Sequence, residues 1–191
     1  MTQGPPPGSS PPPHGERGNG RDQPRPGQGS APGPGLGRVP PQAVEVEQAV
    51  IGAMLLDGRA VGRAIEMLDE GIFYNAPHEY IYSAMVRLYE RSEAVDQLTV
   101  AEELKAAGRL DESGGVVYLA ELAAGVASAA NLEHHAKIVV DRGLSRGLIE
   151  ASSEIVNRAY EGQSNVYELI DWAEQRIFSL SERRLSQGFE S

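Results

Sequence analysis

The sequence predicts an all-α protein in which a compact globular head of five helices is followed by a long antiparallel helical hairpin. Apolar residues recur every three or four positions from residue 43 onward, which is the period of an amphipathic helix. Turn and capping signals divide the chain before residue 128 into five short helices joined by loops of a few residues. Residues 132–160 then run without a proline, which is long for one helix of a globular domain.

The first 41 residues are predicted to form a disordered tail. They hold 12 of the 13 prolines and 10 of the 22 glycines, so they cannot bury a core. A flexible, semi-extended arm is favoured over a proline-rich docking motif. The tail carries a net charge of +2, which leaves −12 for the rest of the chain. Because such an acidic domain repels phosphate backbones, strong direct DNA binding is not expected.

The head is predicted to span residues 42–127. Its first helix lies within residues 43–56, and a break at Gly58 separates it from a second helix that ends near Gly71. Pro77 opens a third helix, because a proline in the first turn loses no hydrogen bond. The positions expected to face the core in these helices are Val46, Ala49, Val50, Ala53, Met54, Val61, Ala64, Ile65, Leu68, Ile81, Met85 and Leu88.

Capping residues predict where the last two helices of the head begin. Thr99 and Glu102 have the spacing of a capping box, and this fourth helix ends at Gly108. Ser113 is predicted to cap the fifth helix. This helix carries the apolar residues Val116, Leu119, Ala120 and Ala123.

The hairpin is predicted to span residues 128–185. Its first helix covers residues 132–160 and ends at Gly162, and Asn165 with Glu168 has the form of a capping box for the second helix. A turn of a few residues between two long helices makes them fold back on each other. Each helix carries one narrow apolar stripe.

These stripes are the candidate functional site, an interface with a second copy of the chain. A lone hairpin cannot cover both stripes completely, and each exposed Leu or Ile forgoes roughly 1.5–3 kcal/mol of burial. The alternative is that the stripes bury only against each other and the head, but self-association is favoured. The predicted interface residues are Val140, Leu144, Leu148, Ala151, Ile155, Leu169, Ala173, Ile177 and Leu180.

Gly143 and Gly147 lie inside the long helix, where each costs about 1 kcal/mol relative to alanine. They either allow a neighbouring segment to approach closely or loosen the middle of the helix. The sequence leaves both alternatives open.

No catalytic, cofactor-binding or metal-binding residue is predicted. A phosphate-binding P-loop requires Gly-Lys-Ser/Thr, but the two lysines, Lys105 and Lys137, follow Leu104 and Ala136. No two histidines have the spacing of a zinc-protease helix, and the adjacent His134 and His135 point in different directions on a helix. An enzymatic function therefore ranks last.

Cysteine and targeting signals are absent from the sequence. With no cysteine, disulfides and thiolate chemistry are excluded. The N-terminus lacks a secretory signal pattern, and no stretch of about 18 apolar residues could span a bilayer. The expectation is a soluble, cytoplasmic protein that does not enter a membrane.

Several short motifs, taken in order, resemble the N-terminal domain of DnaB-type bacterial replicative DNA helicases. Residues 41–52 (PQAVEVEQAVIG) are similar to the start of that domain, although Val46 replaces its usual alanine. Gly143 and Gly147 also depart from the bulkier or charged residues usual in the family. The later matching residues are Phe73, Tyr74, His78, Ile81, Tyr82, Val95, Asp96, Thr99, Gly114, Gly115, Tyr118, Leu119, Leu122, Ser128, Ala129, Ala130, Asn131, Ala173, Glu174, Ile177 and Phe178.

The resemblance implies a non-catalytic collar that supports DNA replication. Its hairpins would pair so that six copies form a ring. The collar would receive the C-terminal domain of primase and would lie near the surfaces used by a helicase loader. ATP and Mg²⁺ are expected only in a C-terminal ATPase domain, with residues 186–191 beginning the linker to it. The alternative is a free-standing helical adaptor that docks on a helicase, and the gene sequence beyond Ser191 would distinguish the two.

Overall fold

A computed structural model describes residues 1–2, 38–162 and 165–186, and side chains as far as residue 182. The chain divides into two units, Met1–Leu36 and Gly37–Ser191, and all the described helices belong to the second unit. Most of the predicted tail and residues 187–191 of the predicted linker lie outside the described residues.

The described part of the chain contains helices and connecting loops but no strands, which confirms the predicted all-α fold class. Five helices of 8 to 15 residues precede two long ones of 30 and 21 residues. In chain order they are α1 (Val44–Leu56), α2 (Gly58–Ile65), α3 (Ala76–Glu90), α4 (Gln97–Ala106), α5 (Gly115–Ala124), α6 (Leu132–Glu161) and α7 (Val166–Ser186).

Helix α1 lies at the centre of the head. It packs against α2, α3, α5 and α6, and its second half is buried on nearly every side. Apolar side chains on all sides are typical of a central helix. Gly52 allows α5 to approach, because a side-chain methyl at this position would overlap the backbone oxygen of Leu122.

The start of α4 differs from the prediction. Asp96, and not Thr99, is the N-cap: its Oδ1 accepts hydrogen bonds from the N–H groups of Leu98 and Thr99 at 2.8 and 3.0 Å. Thr99 is the reciprocal partner, since its Oγ1 accepts the Asp96 N–H at 3.0 Å. Asp96 and Thr99 are both residue types that cap helices. Asp96 is the cap because its carboxylate accepts two N–H groups that would otherwise be unpaired.

The predicted Ser113 cap of α5 is also wrong. Gly114 occupies the cap position with φ of 87°, a conformation that favours glycine. Ser113 lies buried in the preceding turn, where its hydroxyl donates to the Arg109 carbonyl at 2.8 Å. The serine therefore stabilises the turn that leads into the helix.

The two long helices α6 and α7 pack against each other, as predicted. Helix α6 ends at Gly162, which has φ of 62°, and the Asn165 side chain accepts the Tyr167 N–H at 3.1 Å at the start of α7. The first turns of α6 belong to the head, because Leu132, Ala136, Val139 and Val140 are part of its core. One helix is thus shared between the head and the hairpin.

Both interior glycines of α6 lie at close contacts. A methyl group on Gly143 would overlap the Ile72 side chain of the head. On Gly147 it would lie 2.9 Å from Cδ2 of Leu180 on α7. Of the two alternatives for these glycines, the structure favours close approach of a neighbouring segment.

Candidate functional site

The nine predicted interface residues fall into three groups by exposure. Val140 and Ala151 are buried, and Leu144 is half-buried against the head core, so the chain's own residues cover the first two fully and the third in part. Leu148 and Ile177 are exposed, at 50% and 37%. The other half-buried residues are Ile155, Leu169, Ala173 and Leu180. Contact of any of them with a second copy stays a prediction.

Polar and aromatic contacts fix the pairing of the two hairpin helices. Glu154 on α6 forms an ion pair with Arg176 on α7 at 2.9 Å, which lowers the pKa of the Glu154 carboxyl. One turn further along α6, the Arg158 guanidinium lies 3.8 Å from the centroid of the Trp172 ring. Rising numbers on α6 meet falling numbers on α7, so the helices are antiparallel.

A second face of α7 remains uncovered. A shallow, mainly apolar recess on this face is lined by Ile170, Ala173, Ile177 and Phe178 together with Glu174 and Ser181, and we call its four apolar residues the α7 patch. Phe178 is 62% exposed and Ile170 is 48% exposed. The spacing of three, four and one residues places these side chains along one side of the helix. A contiguous apolar surface of this kind is typical of an interaction site.

Helix α6 also exposes apolar side chains beyond the part that packs on the head. They are Leu148, Ile149, Val156 and Tyr160. Of these, only Leu148 was predicted as an interface residue. The apolar surface of the hairpin is therefore broader than the two stripes that the sequence pattern predicts.

A buried polar cluster in the head was not predicted. Glu47 and His78 are 1% and 0% exposed, and His78 Nδ1 is hydrogen-bonded to Glu47 Oε2 at 2.8 Å. The other His78 nitrogen, Nε2, lies 2.7 Å from the Tyr118 hydroxyl. One signal could have found it: Glu47 precedes the core residues Val50 and Ile51 by three and four positions, so it shares their helix face.

The cluster holds the loop between α2 and α3 against α1. The N–H groups of Tyr74 and Asn75 donate to the Glu47 carboxyl group at 2.7 and 3.2 Å. The Glu79 carboxyl group also holds this loop, because it accepts hydrogen bonds from the N–H groups of Gly71 and Phe73. Burial raises the pKa of Glu79, although these two hydrogen bonds act in the opposite direction. Since Glu47 and His78 are inaccessible to solvent, we assign the cluster a structural role.

The described residues contain neither a metal-binding cluster nor a membrane-spanning helix. Among the described residues, no three acidic or histidine side chains converge closely enough to hold a metal ion. In the same part of the chain, none of the helices has the length and apolar character needed to cross a bilayer.

Known proteins are similar to this chain in sequence. A family model described as the DnaB-like helicase N-terminal domain matches residues 39–141. The replicative DNA helicase DnaB of Rhodothermus marinus is 48% identical over 155 residues, and that of Geobacillus stearothermophilus is 42% identical over 154 residues. Each match covers 81% of this chain but only 16% and 34% of the respective relative, so the chain corresponds to a minor part of either protein.

Solved structures share the fold. The crystal structure of the N-terminal domain of DnaB helicase from Mycobacterium tuberculosis matches with a TM-score of 0.71 and 39% identity, covering 74% of this chain and 99% of that one. A DnaB-like replicative helicase, whose structure was solved to describe its interactions with primase, matches with a TM-score of 0.62 and 25% identity. That match covers 72% of this chain and 31% of the helicase. The chain therefore belongs to the family of DnaB-like helicase N-terminal domains.

Proposed function

We propose that this domain is the non-catalytic assembly and docking collar of a replicative DNA helicase. The α7 patch supports the proposal most directly, because its apolar side chains lie on the hairpin and contact water in the single chain. Covering the patch with a second copy would remove this apolar surface from water. In a two-fold dimer the same patch serves both partners, so one apolar surface suffices.

The hairpin is a suitable element for pairing because its inner face is already fixed. The ion pair of Glu154 with Arg176 and the stacking of Arg158 on Trp172 hold the helices together within one chain. The outer apolar side chains are therefore presented on a preorganised surface, which reduces the entropy cost of association. Larger rings, up to the proposed hexamer, would need additional contacts between such dimers.

Replacing Ile177 with glutamate tests the pairing. The carboxylate would have to enter an apolar interface unpaired, so we expect the dimer dissociation constant to rise at least about tenfold. Sedimentation equilibrium over micromolar concentrations would measure this change. Leu148→Glu, at another exposed predicted position, should act in the same direction.

Leu98→Glu is the matched control. Leu98 is 73% exposed on α4 of the head, so the same change of charge is made far from the α7 patch. Pairing through the patch would be contradicted if the wild-type chain stayed monomeric. It would also be contradicted if Leu98→Glu raised the dimer dissociation constant as much as Ile177→Glu does. Loss of helicity together with the dimer would assign Ile177 to the fold of the hairpin instead.

We propose no catalytic step for this domain. ATP and Mg²⁺ would act in the ATPase domain of the complete helicase, and the net charge of −12 outside the tail disfavours strong DNA binding here. ATP hydrolysis by the purified chain, above the rate of a buffer control, would overturn this part of the proposal.

Primase is the proposed docking partner, with a helicase loader as a second one. The proposal is supported by the related helicase whose structure was solved to describe its interactions with primase. We expect the C-terminal domain of primase from the same organism to bind the chain with a dissociation constant in the micromolar range or below. Titration calorimetry would measure this dissociation constant, with an unrelated acidic helical protein in place of the chain as the control. Absence of heat and of co-elution at tens of micromolar would contradict primase docking.

A further inference from the structure

Arg146 lies where α6 passes from the head to the hairpin. Before it, Val140 is buried in the head core, and after it, Ala151 is buried in the hairpin. The segment between these two residues contains both interior glycines, one facing Ile72 of the head and the other facing Leu180 of α7. This segment is therefore the joint between the two parts of the molecule.

The Arg146 side chain bridges two separate segments of the head at this joint. Its Nη1 donates to the Pro41 carbonyl oxygen at 2.8 Å, and its Nη2 donates to the Ile72 carbonyl oxygen. The guanidinium carbon also lies 5.5 Å from the centroid of the Tyr74 ring. Pro41 precedes α1, whereas Ile72 and Tyr74 belong to the loop between α2 and α3. The Arg146 guanidinium thus connects α6 to two parts of the head, the segment before α1 and the loop between α2 and α3.

Close packing at Gly143 brings the Ile72 carbonyl within reach of Arg146. Because this residue has no side chain, the Ile72 side chain lies directly against the α6 backbone. The Ile72 carbonyl is thereby held within reach of Arg146, which is three positions further along the helix and close to the same face. The small residue and the arginine form one contact surface for the loop.

We propose that Arg146 is a positioning residue, which fixes the direction in which the hairpin leaves the head and thereby the geometry in which two copies pair. The second half of this inference rests on the proposed pairing of hairpins. The first half does not, since it concerns distances within one chain.

A lysine at this position distinguishes positioning from simple charge. Its single ammonium lacks the planar fork that donates to two carbonyls at once and stacks on Tyr74. We expect Arg146→Lys to widen the distribution of head-to-hairpin distances at least about twofold, because one of the two tethers is lost. Arg142→Lys is the matched control, since Arg142 is exposed one turn earlier on the same helix.

Electron spin resonance between two labels would measure these distances. The chain has no cysteine, so Glu90→Cys on α3 and Glu161→Cys at the end of α6 would take the labels specifically. An excess of unlabelled chain would remove distances between copies. A second variant, Arg146→Met, would remove both hydrogen-bond donors and keep an unbranched side chain. Circular dichroism would verify that each variant keeps its helices.

The outcomes separate the two halves of the proposal. Unchanged distances in both Arg146→Lys and Arg146→Met would overturn it, as would equal widening in Arg142→Lys. If positioning controls pairing, the dimer dissociation constant of Arg146→Lys should rise at least about threefold. Wider distances with an unchanged dissociation constant would refute the link to pairing. A monomeric wild-type chain would instead refute the proposed function, and the distances would still decide the role of Arg146.

Discussion

Replacing Glu47 with alanine is expected to lower the free energy of unfolding by about 3–5 kcal/mol. The carboxyl group accepts the N–H groups of Tyr74 and Asn75 and is hydrogen-bonded to His78. Tyr74 and Asn75 would lose their acceptor and His78 would lose a hydrogen-bond partner, and an unpaired buried polar group costs about 1–3 kcal/mol. The expected loss is a large part of the roughly 5–15 kcal/mol that stabilises a typical domain. Urea unfolding followed by circular dichroism would measure it.

Glu45→Ala is the control for this prediction. Glu45 is exposed on the same helix two positions earlier, so the substitution removes the same side chain without opening the buried cluster. We expect a change of less than about 1 kcal/mol, mainly from the lost interaction with the helix dipole. A difference of less than about 1 kcal/mol between the two variants would show that the cluster contributes little to stability.

Glu47 also illustrates which parts of the fold the sequence could predict. The order of the helices, the buried faces of α2 and α3 and the end of α6 at Gly162 follow from local spacing and helix-stop signals. The partners of Glu47 are 27 to 31 positions away, and local spacing says nothing about such distant contacts. The position of Glu47 among helical core residues could have indicated a buried polar contact, but it could not have identified His78 as the partner.

Which apolar residues of the hairpin stay exposed was predicted only in part, for a related reason. The apolar stripe on α6 is correct as a pattern, but the pattern does not distinguish the neighbours that cover it. Val140 faces the head core, Ala151 is buried in the hairpin, and Leu148 is exposed. Phe178 was not among the predicted interface residues, although it is the most exposed member of the α7 patch. Which apolar residues remain uncovered depends on how α6 and α7 are rotated against each other, and this rotation is a tertiary property.

The crossing of α1 and α5 depends on the absence of a side chain at Gly52. A Cβ atom there would overlap the backbone oxygen of Leu122 and lie 2.7 Å from Cγ2 of Val126. A flexible side chain could turn away from the added methyl, but a helix carbonyl moves only if the helix moves with it. Because α5 also packs against α4, a shift of α5 would disturb a second interface.

Gly52→Ala is therefore expected to lower the free energy of unfolding by about 2 kcal/mol. Overpacking costs typically about 1–3 kcal/mol, and overlap with a backbone atom places this residue at the upper end. The better helix propensity of alanine returns only about 1 kcal/mol. Gly58→Ala is the control, because its nearest neighbour, the Val95 oxygen, would lie 3.7 Å from the new methyl. It should stabilise the chain by about 0.4–1 kcal/mol in the same urea experiment. Equal changes in both variants would mean that α1 and α5 can separate without cost, and that close approach at Gly52 does not determine the packing of the head.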